Sequence, residues 1–140
     1  MVFQDYFTVM TRGRGFYEIT RDIENVASKT SIRTGICNVF LHHTSASLII
    51  CENADPDVRT DLEAYMARMV KDGDSLFKHV SEGKDDMSAH IRTVLTDVSI
   101  SMPIAQGQLI LGQWQGIYLW EHRFSNFERR MTVTIYGDEL

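Results

Sequence analysis

The amino-acid sequence predicts an α+β fold: a mainly antiparallel β-sandwich of about seven strands carrying two main helices. Short alternating runs rich in Val, Ile, Thr and aromatic residues recur along the chain. Only two stretches show the three-to-four-residue spacing of a long amphipathic helix. Strands and helices do not alternate in a regular βαβ order, which would have indicated a parallel sheet. With 140 residues and no linker, repeat or low-complexity tract, the chain is expected to form one domain, residues 1–140, able to bury a core without staples.

Residues 2–9 are aromatic and β-branched and read as a first strand, Thr11-Arg12-Gly13-Arg14-Gly15 as a turn, and 16–20 as a second strand. The two strands are expected to form a hairpin. Asp22 is placed to cap a short helix over 23–28, with Ile23, Val26 and Ala27 on one face. Gly35 to His43 is the next strand. Alternation puts Cys37, Val39, Leu41 and His43 on one face and Ile36, Asn38, Phe40 and His42 on the other. Residues 44–52 continue in extended form, with Ala46, Leu48, Ile50 and Glu52 sharing a side, and the histidines sit at the interruption.

Asp55-Pro56 starts a helix, with Asp at the N-cap and Pro at the first helical position, where its missing N–H costs nothing. Asp57 adds a negative charge that suits the helix dipole. Val58, Leu62, Tyr65, Met66 and Met69 keep helical spacing to about Val70. A polar connection over 75–86 leads to a second helix, 87–95, capped by Asp86 or Ser88, with Ile91, Val94 and Leu95 expected on its buried face. Strands follow at 98–102, 108–111, 116–121 and 130–136, and the runs 108–121 and 130–136 suggest a meander.

The net charge of −5 and the pI near 5.4 argue against a broad nucleic-acid footprint, which needs a basic face. An anionic substrate would need a metal or a few placed arginines. Cys37 and Cys51 sit in apolar runs and read as buried free thiols. The first residues lack the basic-then-apolar pattern of a secretory leader, and the apolar stretches fall short of a membrane span. A cytoplasmic protein without membrane contact is expected.

Chemistry concentrates in residues 42–57, which hold two imidazoles, several hydroxyls and three carboxylates. His43 at a strand end, His79 in a loop and His90 on a helix are of the types a divalent metal takes, with carboxylates as supporting partners. Their spacing matches no standard zinc pattern. Asp55 and Asp57 are explained by helix capping, whereas Glu52 shares a strand face with Leu48 and Ile50 and would need a partner there. Thr44, Ser45 and Ser47 follow His43, but no nucleophile elbow is present. Glycines bracket Gln113-Trp114-Gln115, which reads either as a strand-to-strand turn with a core Trp or as an aromatic and amide wall for a ring-bearing ligand. Arg129 and Arg130 read as surface charges unless they turn inward.

Four separated motifs, His43-Thr44-Ser45-Ala46-Ser47-Leu48, Glu52-Asn53-Ala54-Asp55-Pro56-Asp57-Val58-Arg59, Asp85-Asp86-Met87-Ser88-Ala89-His90-Ile91 and Gly112-x-Trp114-Gln115-Gly116-Ile117, give the chain a resemblance to the YjbQ family, small proteins described as secondary thiamine-phosphate synthases. The family usually has Thr where this chain has Gln113. The resemblance implies a compact α+β sandwich, a homotrimer, and a pocket near the subunit interface lined by His43, His79 and His90 that holds a metal. The activity it implies joins a hydroxymethylpyrimidine pyrophosphate to a thiazole phosphate, as a secondary reaction. A metal-dependent hydrolase of a phosphorylated small molecule and a non-catalytic trimeric binding protein are the alternatives. On that chemistry His43, Glu52 and His90 are the candidate catalytic residues. Mg²⁺ or Zn²⁺ would sit on His43, His79 and His90. The small phosphorylated substrate would meet Thr44, Ser45, Asn53, Trp114, Gln115 and Arg123.

Overall fold

The computed structural model describes all residues, 1–140. The elements run β1 (Val2–Arg12), β2 (Gly15–Glu18), α1 (Thr20–Ala27), β3 (Thr34–Leu41), β4 (Ala46–Glu52), α2 (Pro56–Met69), α3 (Asp86–Leu95), β5 (Ser99–Ala105), β6 (Gln108–Leu109), β7 (Gln115–Glu121) and β8 (Asn126–Asp138). They build two antiparallel sheets, one of five strands in the order β1-β8-β3-β5-β6 and one of three in the order β2-β7-β4. The α+β antiparallel sandwich is as expected.

Period-two alternation decides which side chains meet between the sheets. Cys37, Val39 and Leu41 from β3, Met131, Val133 and Ile135 from β8, and Ile117 and Leu119 from β7 form the main core, while Phe40 points to solvent. Strand β7 is buried on both faces, because Trp120 on its far side packs with Met66 and Val70 under α2. That explains its unbroken apolar run, Ile117-Tyr118-Leu119-Trp120. Both cysteines are free, Cys37 buried and Cys51 half-buried, and burial pushes the Cys37 thiol up to about 12.

The expected hairpin and meander do not form, for one shared reason. β1 pairs with β8 from Val2↔Tyr136 to Arg12↔Asn126, and β2 pairs with β7 from Gly15↔Glu121 onward. The two pairs are one long ribbon that bends from the larger sheet into the smaller at Gly13-Arg14 and residues 122–125, so the turn signals mark a corner rather than a reversal. The third crossing is at residues 42–45, where the chain leaves β3 in the larger sheet and enters β4 in the smaller. Three corners therefore gather at one end of the sandwich. A buried ion pair stitches them: Glu121 accepts from Arg129 Nε at 2.7 Å and Nη2 at 2.5 Å and from Thr11 Oγ1 at 2.6 Å, and Arg129 Nη2 also reaches Ser45 Oγ at 3.0 Å. Arg129 has thus turned inward.

Helix boundaries bring further corrections. α1 starts at Thr20, and Asp22 lies in its first turn without capping it. α2 starts as expected, with Asp55 Oδ1 accepting from Asp57 N at 2.9 Å. α3 begins at Asp86 itself, with no side-chain cap. Its face is also turned: Ile91 packs half-buried against the Met66, Val70 and Trp120 cluster as expected, but Val94 is 83% exposed and Leu95 55%, while Ser88, Ala89, Arg92 and Thr93 are buried. Polar partners outweigh apolar spacing here. Arg92 reaches Glu63 at 2.8 Å, Ser88 bonds Asp72, and Thr93 Oγ1 donates to the Ala46 carbonyl at 3.4 Å.

Candidate metal centre

The corner end of the sandwich positions a compact group of ligand atoms. α3 carries Asp86 and His90 four residues apart, hence on one face of its first turns, and the preceding loop carries His79. Asp86 Oδ2 lies 2.7 Å from His79 Nε2 and 3.2 Å from His90 Nε2, and the two imidazoles stand 5.4 Å apart between ring centres. All three ligand atoms lie within 4.8 Å of one another. Asp86 is buried, His90 half-buried and His79 exposed, so the group opens to solvent on the His79 side.

Supporting bonds fix His90 and Asp86. His90 Nδ1 donates to the Thr44 carbonyl at 3.0 Å, which leaves the lone pair of the neutral ring on Nε2. The other oxygen of Asp86, Oδ1, accepts from Arg123 Nη1 at 2.8 Å. Arg123 also donates to Asp85 Oδ2 at 3.0 Å and to the Glu82 carbonyl at 2.9 Å, pinning the loop before α3 to the corner after β7. Burial works to raise the Asp85 pKa, but the Phe124 N–H and the Arg123 guanidinium outweigh it and hold the carboxyl below its ordinary value. Two nitrogen ligands and one carboxylate suit a borderline first-row ion such as Zn²⁺ better than Mg²⁺, which prefers oxygen. Three protein ligands leave positions for water or substrate. A cleft of about 430 Å³ adjoins His79, lined in part by Ser75, Phe77 and Lys84.

The sequence-derived candidates fall into separate groups. His79 and His90 come together, with Asp86 as the third candidate ligand. His43 stands outside the trio: its Nε2 accepts the Arg130 N–H at 2.8 Å, and burial, with the Arg129 charge, lowers its pKa. Thr44 contributes through its carbonyl, and Ser45 through Arg129. Arg123 is engaged with carboxylates rather than free. Glu52, Asn53, Trp114 and Gln115 lie at the other end of the smaller sheet. The register pairs Ala46 with Glu121 but Glu52 with Gln115, six residues on, or about 20 Å along the strand. There Glu52 Oε2 accepts from Ala54 N and Asp55 N at 3.0 and 2.7 Å, and Gln115 Oε1 accepts from Gly112 N at 2.7 Å. Trp114 is 57% exposed, so it is not a core residue. Gly116 admits no side chain, since a Cβ there would meet the Tyr118 ring at 2.9 Å and Asn53 Cβ at 3.0 Å. His42 lies on the outer face against Thr132 Oγ1 at 2.8 Å. Asp86 itself was legible only as a helix cap.

A two-sheet antiparallel sandwich with a histidine–carboxylate group at the corner where its strands change sheets is the class that fold and geometry define. The family model described as UPF0047 protein YjbQ-like matches residues 5–138, and the chain belongs to that family. It is 44% identical over 135 residues to the UPF0047 protein sll1880 of Synechocystis, covering 96% of this chain and 92% of that one. It is 40% identical over 139 residues to the YjbQ protein of Salmonella typhimurium, covering 99% and 100%. Among solved structures, a YbjQ-like protein of unknown function from Sulfolobus solfataricus superposes with a TM-score of 0.88 at 26% identity, covering 99% of each chain. An uncharacterized YjbQ/UPF0047 protein from Clostridium acetobutylicum gives 0.86 at 31% identity, covering 94% of this chain and 99% of that one. No helix is long and apolar enough to cross a membrane.

Proposed function

We propose that the chain is a metal-dependent enzyme acting on a small phosphorylated substrate, with His79, Asp86 and His90 as the ligands of one divalent ion. The observation that carries this reading is the convergence of the three ligand atoms at a solvent-facing edge, with His90 held by the Thr44 carbonyl and Asp86 by Arg123. A bound ion would supply charge to stabilise a departing phosphate or pyrophosphate. The chain's own residues orient and enclose. Arg123 holds Asp86 and the 82–86 loop in place, Thr44 sets the His90 tautomer, and the adjoining cleft with Lys84 takes the anionic end of the substrate.

The reaction we assign is the coupling of a hydroxymethylpyrimidine pyrophosphate with a thiazole phosphate, as a secondary activity, in a homotrimer. In that assembly the exposed Trp114 with Asn53 and Gln115 of one subunit faces the metal ligands of the next, and the indole stacks on a heteroaromatic ring. Hydrolysis of a phosphorylated small molecule is the second reading. It is favoured by the distance of Trp114 from the centre within one chain and by the engagement of Arg123 with Asp85 and Asp86, which leave the centre of a single chain without a second-substrate wall. Metal analysis of the purified protein, followed by turnover of both thiamine precursors and of generic phosphoesters, tests both. Coupling that depends on the metal supports the first reading, and hydrolysis without coupling replaces it by the second. Absence of metal and of turnover would leave a non-catalytic binding protein and defeat both.

A further inference from the structure

Arg92 of α3 lies wholly inside the protein. Its Nη1 donates to Glu63 Oε2 at 2.8 Å, but its Nε and Nη2 have no protein acceptor. His122, just beyond β7, is equally buried. Its Nε2 lies 2.8 Å from Ser47 Oγ, and its Nδ1 has no partner. Both side chains lie between α3 and the outer face of the smaller sheet, linked through Glu63 and Trp120, and the Arg92 charge acts on His122. The second oxygen of Glu63 accepts from Trp120 Nε1 at 3.1 Å, and the Trp120 ring lies 5.1 Å from that of His122. Buried polar groups are paired as a rule, and three unpaired atoms on these two side chains call for a ligand.

We propose that Arg92 and His122 face one another across a polar pocket that binds one internal water molecule, which accepts from Arg92 Nε–H and Nη2–H and donates to His122 Nδ1. Charge selects water over an anion. Each arginine whose charge acts on His122 already has a carboxylate: Arg92 has Glu63, Arg14 has Asp72, and Arg129 has Glu121. A monoanion would add a buried charge with no counterion, whereas water adds none. One water also gives each of the three atoms a partner. One water makes two acceptor bonds and one donor bond, the usual number for buried water. The same count sets the His122 tautomer, with Nε2–H donating to Ser47 Oγ and the lone pair on Nδ1. The result is a bridge from the smaller sheet to the helix that carries Asp86 and His90.

The test uses the wild-type protein twice. A crystal soaked in bromide and measured at the bromine edge is expected to show one peak within hydrogen-bond reach of Arg92 Nε and Nη2 and His122 Nδ1, without anomalous signal. Nitrogen NMR of His122 is expected to show Nδ1 unprotonated. An anomalous bromide peak, or a proton on Nδ1 that makes the pocket a three-donor site, overturns water in favour of an anion. A direct Arg92–His122 contact with no peak between them overturns any ligand.

Discussion

His90 donates its Nδ1–H to a main-chain carbonyl, and Asp86 turns its second oxygen to Arg123, so each shared ligand has a partner that leaves its other atom free. Asp86→Asn keeps the shape and removes the charge. Loss of a supporting partner alone typically costs about 10–100-fold in metal affinity, and loss of the ligand charge is expected to exceed that, read as metal retained after dialysis with unchanged circular dichroism. Arg123→Met leaves the buried Asp86 and the half-buried Asp85 without their cation, and is expected to lower unfolding stability by about 3 kcal/mol in urea titration. His122 sets an acid limit. Burial, followed by the charges of Arg92, Arg14 and Arg129, lowers its pKa to about 3. The unfolded chain takes up that proton near pH 6.5, so between the two values the unfolded state binds more protons and stability falls as the pH falls. The slope is on the order of 1 kcal/mol per pH unit. Asp72 also has a lowered pKa, because the Arg14 and Ser88 hydrogen bonds outweigh burial. Its contribution is lost as the pH falls from the ordinary carboxylate range downward, mostly below the His122 window. His122→Gln is therefore expected to flatten the stability profile between about pH 6 and pH 4. An unchanged slope would assign the acid limb to other groups.

At the scale of elements, α3 separates what apolar spacing can tell from what it cannot. Ile91, Val94 and Leu95 mark a plausible apolar face, yet the helix buries Ser88, Arg92 and Thr93, because Asp72, Glu63 and the Ala46 carbonyl wait for them. Those partners lie between 16 and 47 residues away and leave no local signal. Val94→Ser is expected to change stability by no more than about 0.5 kcal/mol. Ala89→Leu, on the face pressed against β4, is expected to cost about 1–3 kcal/mol by overpacking. Equal effects in urea titration would mean that the helix sits as its apolar spacing suggested. The opposite case is α2, where Asp55, Pro56 and Asp57 carried the whole start signal within three residues, and structure and sequence agree. The strand faces of β3 were legible for the same reason, since period two is local. The sheet to which each strand belongs was not, because Gly13, Gly15 and the 122–125 turn look alike whether a ribbon reverses or bends.

At the scale of the whole molecule, four sequence motifs lie at two ends of one sheet. The His43–Ser47 and Asp85–His90 segments meet at the corner, while Glu52–Asn53 and Trp114–Gln115 meet about 20 Å away. Residue types identified both groups, but the separation depends on the pairing of β4 with β7, which no local pattern encodes. If each site draws on both ends, the contact joins unlike surfaces of neighbouring subunits and closes into a ring. That arrangement predicts complementation. His90→Ala and Trp114→Ala assemblies would each lack one component at every site and be inactive. In trimers reassembled from an equal mixture, a site is whole when a Trp114→Ala subunit supplies the metal ligands and a His90→Ala subunit supplies the indole. Random assembly gives this at about a quarter of the sites, so the coupling activity of the mixture is expected to rise to about a quarter of the wild-type value. A mixture no more active than either parent would place both groups in one chain's site or remove Trp114 from the reaction, and metal bound by the Trp114→Ala parent would tell a lost wall from a lost centre.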